Sequence, residues 1–338
     1  MKHNKDRREF IRNCSLAGLG VALSASASAL PLPTQVIKIG IIGLDTEHSV
    51  AFTKAFNDPN VPAELAGFRV VAAYPHGSRD IASSLAMIPG FTEEMKKLGI
   101  EIVDSIDSLL KRSDVVLLET NDGRLHLEQA LPIFNAHKPV FIDKPVAASL
   151  SDAISIFDAA KKYNTPVFSS SSLRFMTNAQ QIAAGKIGKV LGADTYGPAS
   201  LEKTHPDLFW YGIHAIEALY TVMGAGCKTV TRFYTEGTDL VVGIWEDNRI
   251  GTFRGLRNGT YDFGGTAFGE KGDAQIGPWE GYRPLALQIA AFFRTGKPPV
   301  QPAETLEIFA FMEAAQQSRE NGGVPVRLDT VMEKARKK

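Results

Sequence analysis

The hydrophobic positions in the first half of the chain fall into short runs separated by amphipathic stretches. Runs rich in β-branched residues predict strands that are buried on both faces of a parallel sheet. They span residues 36–43, 68–74, 114–120, 139–143 and 166–170. Amphipathic helices are predicted over residues 126–135 and after Ser149, where Ser149 and Asp152 have capping-box spacing. This alternation predicts βαβ units and a Rossmann-like, doubly wound parallel sheet.

The second half of the chain has a different pattern. A helix over residues 207–223 precedes several strand-like runs, and a last amphipathic helix covers residues 304–318. The strand-like runs are 229–234, 240–245 and 249–256. Turn-forming pairs such as Asn258-Gly259 separate them, which is typical of an antiparallel sheet. We therefore predict an α/β protein, with a Rossmann-like domain over residues 36–171 and an α+β domain with a mostly antiparallel open sheet over residues 172–338.

The first 29 residues have the three parts of an export signal. Arg7 and Arg8 precede Phe-Ile, a mild apolar run covers 15–23, and small residues fill 25–29. This pattern resembles a twin-arginine signal, and a disordered basic tail is the alternative. The signal implies the twin-arginine translocase as a partner, export of a folded chain to the periplasm or beyond, and no membrane anchor after cleavage.

The amino-acid composition is typical of a globular protein and does not indicate binding to nucleic acid. Hydrophobic residues make up 44% and charged residues 22% of 338 residues, which is ordinary for a globular protein of two domains. Lys+Arg and Asp+Glu are both 37, and no basic run is interleaved with aromatics, so nucleic acid is not an expected partner. Of the two cysteines, Cys14 lies in the signal segment, so Cys227 has no disulfide partner after cleavage.

The tripeptide Asp143-Lys144-Pro145 follows a predicted strand and opens the crossover to a capped helix. Ligands of open α/β sheets bind at the carboxyl ends of strands. A lysine that loses water there can accept the proton of a substrate hydroxyl. The alternative is an exposed surface lysine.

Four motifs follow one another along the chain: the segment Thr120 to His126, the tripeptide Asp143-Lys144-Pro145, Gly212-Ile213-His214, and the tail through Thr295-Gly296-Lys297-Pro298-Pro299. Their order and spacing resemble the Gfo/Idh/MocA (glucose–fructose oxidoreductase/inositol dehydrogenase) family, with Asp143 for the usual Glu. The resemblance covers about residues 36–328. It implies an oxidoreductase that transfers a hydride between NAD or NADP and a sugar or polyol, and that forms a homo-oligomer.

The resemblance also implies roles for single residues. Lys144 and His214 would be catalytic; Thr120, Asn121 and His126 would contact the cofactor; Arg174, Trp210 and Tyr211 would contact the carbohydrate substrate. Four of these residues have a structural alternative: a hydrogen-bonded core histidine for His214, a helix cap for His126, a surface ion pair for Arg174 and a core aromatic for Trp210. Trp210 also stands where the family usually has an acid.

The dinucleotide fingerprint departs from the family pattern. Its three glycine positions are Gly43, Asp45 and His48, all assigned here to the cofactor site. A carboxylate at Asp45 would meet the pyrophosphate with like charge, where a helix N-terminus should attract an anion. After the second strand, Ser78 and Arg79 could hold a 2′-phosphate, which slightly favours NADP.

Two hypotheses follow. In the first, an adapted loop binds NAD(P) and the protein is a dehydrogenase. In the second, the nucleotide site is lost, and the cleft catalyses a cofactor-free hydrolysis or elimination on a carbohydrate, or binds a sugar without catalysis. Asp45 and His48 could be metal ligands or helix-capping residues, and two ligands are too few to assign a metal site.

Overall fold

Two β-sheets organise the chain, which a computed structural model describes over residues 36–259 and 262–337. The first sheet contains β1 (Ile37–Ile42), β2 (Phe68–Tyr74), β3 (Glu101–Ile102), β4 (Val115–Leu118), β5 (Val140–Ile142) and β6 (Val167–Ser169). The helices beside it are α1 (Glu47–Asn57), α2 (Ala82–Lys97), α3 (Ile106–Leu110), α4 (His126–Asn135) and α5 (Leu150–Lys162).

All strand pairs of the first sheet are parallel, in the order β3-β2-β1-β4-β5-β6. The chain therefore reverses direction of winding between β1 and β4, which confirms the predicted doubly wound sheet. Helix α5 begins as expected, because the Ser149 hydroxyl accepts a hydrogen bond from the Asp152 amide at 3.1 Å.

The second sheet is mixed, with the order β12-β11-β7-β10-β9-β8-β13. Its strands are β7 (Val190–Pro198), β8 (Cys227–Tyr234), β9 (Thr238–Trp245), β10 (Ile250–Leu256), β11 (Gly264–Gly269), β12 (Gly272–Ile276) and β13 (Val326–Arg327). Only β7 and β10 run parallel among the strands described, which confirms a mostly antiparallel sheet. The helices of this half are α6 (Thr177–Ala183), α7 (Asp207–Trp210), α8 (Ile213–Met223), α9 (Arg283–Thr295), α10 (Pro302–Glu320) and α11 (Leu328–Ala335).

The single helix predicted over residues 207–223 is divided into α7 and α8. Tyr211 has φ −132° and ψ −33°, which interrupts the helical conformation. A Cβ atom on Gly212 would lie 3.2 Å from the carbonyl oxygen of Leu208, so glycine permits the tight joint. The break gives α8 its own axis, with His214 in its first turn.

Helix α9 belongs to the second half of the sequence but packs on the first sheet. Phe292 contacts Phe168 with ring centroids 4.9 Å apart, and Phe293 contacts Phe68 at 6.3 Å. Each fully buried phenylalanine contributes about 1.5–3 kcal/mol relative to an exposed one. The described residues cluster as one compact unit, so the boundary after residue 171 stays a prediction.

The proposed signal segment, residues 1–29, lies outside the described residues. Within the residues described, no helix is both long and apolar enough to cross a membrane.

Candidate functional site

A cavity of about 520 Å³ lies where the carboxyl ends of the parallel strands face α8 and the loop before α9. Its size suits a small organic molecule. Among the residues that line it are six assigned from the sequence: His48, Asn121, Lys144, Trp210, Tyr211 and His214. Residues from both halves of the chain thus meet at one place.

Lys144 reaches the cavity from the end of β5. Its side chain is buried, and its Nζ atom lies 3.5 Å from Asp143 Oδ2. The adjacent carboxylate compensates the buried ammonium charge. A lysine in this position can exchange a proton with a hydroxyl group in the cavity.

His214 enters the cavity from the first turn of α8. Its Nδ1 atom is 2.7 Å from the Ser171 hydroxyl, which fixes the ring orientation. Burial lowers the pKa of His214 well below its ordinary value, and the charge of Lys144 lowers it further. The imidazole is therefore neutral near pH 7 and can serve as a partner in proton transfer.

Aromatic side chains form much of the remaining wall. Trp210 and Tyr211 come from α7 and its end, and Trp279 and Tyr282 from the loop before α9. The Tyr282 hydroxyl donates to Glu47 Oε1 at 2.6 Å, and Trp279 Nε1 donates to Ser172 Oγ at 3.1 Å. Sequence reasoning missed Trp279 and Tyr282 because no local motif marks them. A signal was present in two large aromatics within a Gly/Pro-rich loop.

The Asp45 carboxylate points away from the cavity and is fully buried. It accepts hydrogen bonds from the Ser78 amide and hydroxyl, each at 2.7 Å, and from the Asn121 amide at 3.1 Å. It thereby joins the loop after β1 to the segments that follow β2 and β4. The Asp45 carboxylate thus places a negative charge of the protein itself at the second glycine position, where the pyrophosphate of a dinucleotide would lie.

This arrangement does not fit an extended dinucleotide. The segment after β2, where the adenosine half would lie, borders a separate cavity of about 410 Å³ lined in part by Ser78 and Arg79. The Asp45 contacts lie between the two cavities, and Asn121 Nδ2 adds a bond to Ser84 Oγ at 3.2 Å. Ser78 is bonded to Asp45 and Arg79 pairs with Glu128, so the side chains expected to hold a 2′-phosphate are already paired.

Gly43, by contrast, fits its predicted position. It has φ +90°, and a Cβ atom there would lie 2.5 Å from the Thr120 amide nitrogen. The loop after β1 therefore needs glycine at this point. Thr120 is buried against this turn and does not line the cavity, so the structure gives it a packing contact.

His48, at the third glycine position, lies beside two buried acids. Its Nδ1 atom is 2.9 Å from Asp143 Oδ2, and its ring centroid is 4.6 Å from that of Tyr282. Glu119, directly after β4, is fully buried, and burial raises its pKa well above the ordinary range, with the charge of Asp143 adding to the rise. Burial opposes ionisation of Asp143 too, but His48 and Lys144 more than offset this and lower its pKa. Glu119 was missed because it reads as the end of an apolar run.

Two further predicted residues lie outside the cavity wall. His126 is fully buried, with its ring nitrogens 2.6 Å from the Thr120 carbonyl oxygen and 3.1 Å from that of Val146. It therefore connects two segments of the first sheet. Arg174 is buried in ion pairs with Glu217 at 2.7 Å and Glu304 at 2.6 Å. Its contacts are structural and link the start of the second half to α8 and α10.

Comparisons with known proteins agree with this architecture. Residues 37–171 match the Gfo/Idh/MocA family, described as an oxidoreductase family with an NAD-binding Rossmann fold. Inositol 2-dehydrogenase from Salmonella typhimurium is 25% identical over 224 residues, which are 63% of this chain and 60% of that protein. An uncharacterized oxidoreductase from Streptococcus pneumoniae is 26% identical over 153 residues, or 40% of this chain and 41% of that one. The chain thus spans 60% and 41% of the length of these two relatives.

Solved structures share the fold over nearly their whole length. A probable dehydrogenase from Thermotoga maritima superposes with a TM-score of 0.72 at 20% identity, covering 87% of this chain and 100% of that one. A scyllo-inositol dehydrogenase from Lactobacillus casei, solved with NAD(H) and scyllo-inositol, gives 0.70 at 17% identity with the same coverage. At these identities the similarity establishes the fold.

Proposed function

We propose, from the match of residues 37–171 to the Gfo/Idh/MocA oxidoreductase family, that this chain is an enzyme acting on a sugar or cyclic polyol by proton transfer at a hydroxyl group. Lys144 is the general base or acid, and His214 is its partner. The observation that carries the proposal is the meeting of these two side chains in one cavity with aromatic walls.

The two groups are suited to different parts of proton transfer. Lys144 is placed by a rigid strand end and balanced by Asp143, whereas His214 is held by Ser171 and kept neutral by burial. In a hydrolysis or elimination, Lys144 in its amine form can take the proton of a substrate hydroxyl or water and return it to the oxygen that departs as an alcohol or water, while the imidazole accepts or donates a hydrogen bond. Aromatic rings such as Trp210 supply apolar surface for the C–H face of a sugar ring.

A cyclic polyol is the substrate class that the comparisons favour. Inositol 2-dehydrogenase is among the sequence relatives, and a fold neighbour holds scyllo-inositol. NAD(P)-linked dehydrogenation is the second candidate function, favoured by the match to a family with an NAD-binding Rossmann fold. The buried Asp45 carboxylate argues against it, so the proposal rests on the acid–base pair and on no bound nucleotide.

The experiment combines binding with turnover. The protein is purified without nucleotide, denatured and tested for released NAD or NADP, and the intact protein is titrated with NADH and NADPH. Inositols and monosaccharides are then incubated with the protein, with and without NAD(P), and followed by proton NMR. Conversion without nucleotide supports the proposal, and conversion only with NAD(P) establishes the second candidate. Neither binding nor conversion of any polyol would refute both.

We propose further that the chain is exported. Arg7 and Arg8 with the apolar run that follows support a twin-arginine signal and a periplasmic or extracellular location. Expression with Arg7→Lys and Arg8→Lys should keep the protein in the cytoplasmic fraction, as judged by cell fractionation. Export of that variant at the original level would contradict the proposal.

Self-association is proposed for the outward face of the second sheet. Large apolar side chains there are exposed: Leu191 by 51%, Phe233 by 58%, Ile244 by 42%, Ile250 by 52% and Phe268 by 39%. An apolar face of this kind is typical of an interface between proteins. Analytical ultracentrifugation should show a dimer or tetramer, and a monomer at micromolar concentration would contradict the proposal.

A further inference from the structure

A second group of side chains lies behind the cavity wall. One ligand atom from each of His48, Glu119 and Asp143 falls within 4.8 Å of the other two, and all three residues are buried. They come from the start of α1 and the ends of β4 and β5, so the strand ends of the sheet place them together. An imidazole and two carboxylates are common ligands of divalent metal ions.

The acids of this group lack the partners that buried polar atoms normally have. Both Glu119 carboxylate oxygens and Asp143 Oδ1 are buried without a hydrogen bond. A neutral Glu119 would still carry an O–H group that needs an acceptor, so protonation alone leaves this cluster unsatisfied. Buried polar groups left in this way are costly and call for an unseen partner.

The charges point to a cation as that partner. Asp45, Glu119 and Asp143 are three fully or almost fully buried carboxyl groups, and the ammonium of Lys144 is the buried positive charge beside them. With all three ionised and His48 neutral, this group has a net charge of −2, which a divalent cation would cancel. Buried charges persist when they are paired or when they coordinate a metal ion.

We propose that His48, Glu119 and Asp143 bind one divalent first-row metal ion, for which Zn²⁺ is the best match. Zn²⁺ accepts imidazole and carboxylate ligands together, and three protein ligands leave one position of a tetrahedral site open. His48 and Lys144 line the cavity, which provides the path by which the ion enters. This metal site is separate from the proposed function, and metal binding tests it without any measurement of activity.

Asp45 is excluded from this site. Its two carboxylate oxygens already accept the hydrogen bonds from Ser78 and Asn121, whereas those of Glu119 accept none. We therefore expect His48 to bind the metal ion together with Glu119 and Asp143, the acids after β4 and β5, and not with Asp45. This difference supplies a matched control.

The test uses the full-length protein. Its metal content is measured as purified by inductively coupled plasma mass spectrometry, and after chelation the protein is titrated with ZnCl₂ and, separately, MnCl₂ by calorimetry. We expect one ion per chain, tighter binding of Zn²⁺ than of Mn²⁺, and a higher Tm of the metal-loaded protein. No saturable binding of either ion at about 100 µM, a concentration far above the Kd expected of a specific zinc site, would overturn the proposal.

Variants locate the ligands. Glu119→Gln and His48→Gln should each weaken Zn²⁺ binding by roughly 10–100-fold or more, since loss even of outer-shell partners has effects of this size. Asp45→Asn should weaken Zn²⁺ binding less than Glu119→Gln or His48→Gln does, because Asp45 contributes a nearby charge but no ligand atom. Circular dichroism verifies that each variant is folded before titration. Loss of binding in Asp45→Asn with retention in Glu119→Gln would overturn the assigned ligand set.

Discussion

Two neighbouring parts of the molecule differ in how far they keep the pattern of the family that the chain resembles. One is the loop that carries Gly43, Asp45 and His48, here called the seat; the other is the side of the cavity formed by Lys144 and His214, here called the wall. At the wall, Lys144 and His214 have the residue types and the shared cavity that the family resemblance implies. At the seat, only Gly43 keeps its glycine, while Asp45 supplies an internal anion. Each strand end positions its own loop, so one loop can change while the next keeps its chemistry.

The largest expected effect concerns the wall. Lys144→Met should reduce kcat on a polyol substrate by about 10²–10⁴-fold, the usual contribution of a general acid–base group. Substrate affinity should change far less, as measured by calorimetry. Lys186→Met, at an exposed lysine bonded to Gln181, is the matched control and should retain activity. Equal loss in both variants would show that the cavity lysine has no special role.

The second-largest expected effect is on stability and concerns Gly43, the one fingerprint glycine that the seat retains. Gly43→Ala should lower the free energy of unfolding by more than Gly99→Ala, which also has positive φ but no atom within 4 Å of an added Cβ. Backbone strain costs about 1–3 kcal/mol in both, and the clash with Thr120 adds about 1–3 kcal/mol only at Gly43. Urea denaturation of the two variants measures the difference. Equal destabilisation would mean that the loop after β1 can move.

Removal of the Asp45 carboxylate should raise the affinity for a dinucleotide. Asp45→Gly should strengthen NADH binding by about 10–100-fold, because it removes a like charge near the pyrophosphate position. The increase is measured by fluorescence titration, with Asp58→Gly at an exposed position as the control. If the affinity for NADH does not rise, the seat is closed by more than Asp45.

The smallest effect is a pH dependence from the wall. The pKa of His214 is lowered in the folded protein, so below about pH 6.5 the unfolded chain binds a proton that the folded chain does not. The free energy of unfolding should therefore fall as pH decreases from 7.5 to 5.5, by at most about 1.4 kcal/mol per pH unit for this group.

His214→Asn should reduce that pH dependence, as measured by urea denaturation at the two pH values. The slope that remains is expected from His126 and His205, whose pKa values burial also lowers. His137→Asn, at an exposed histidine, is the matched control. A steeper slope in His214→Asn would contradict the assigned direction.

Much of the fold could be predicted from local patterns of hydrophobic and polar residues. The strands β1, β2, β4, β5 and β6 are short apolar runs, and their alternation with helices was enough to predict the doubly wound sheet. Strand β7 was missed because two glycines, Asp194 and a terminal proline dilute its pattern. The docking of α9 on the first sheet depends on long-range contacts that no local pattern contains.

The candidate site was predictable to the extent that motifs marked it. Lys144 and His214 stand in recognisable motifs, and both line the cavity. Arg174 also stands in a motif, but its charge is satisfied by Glu217 and Glu304, which lie 43 and 130 residues further along the chain. Glu119 shows the opposite case, since its burial and missing partners appear only when three strand ends are brought together.

The position of α9 has a consequence for how the chain is made. The apolar side chains of Ile289, Phe292 and Phe293 share one core cluster with Ile39 and Ile41 of the first strand. A ribosome delivers the first strand early and α9 only after most of the chain, so side chains of α1 cover this face only in part until residue 295 has been synthesised.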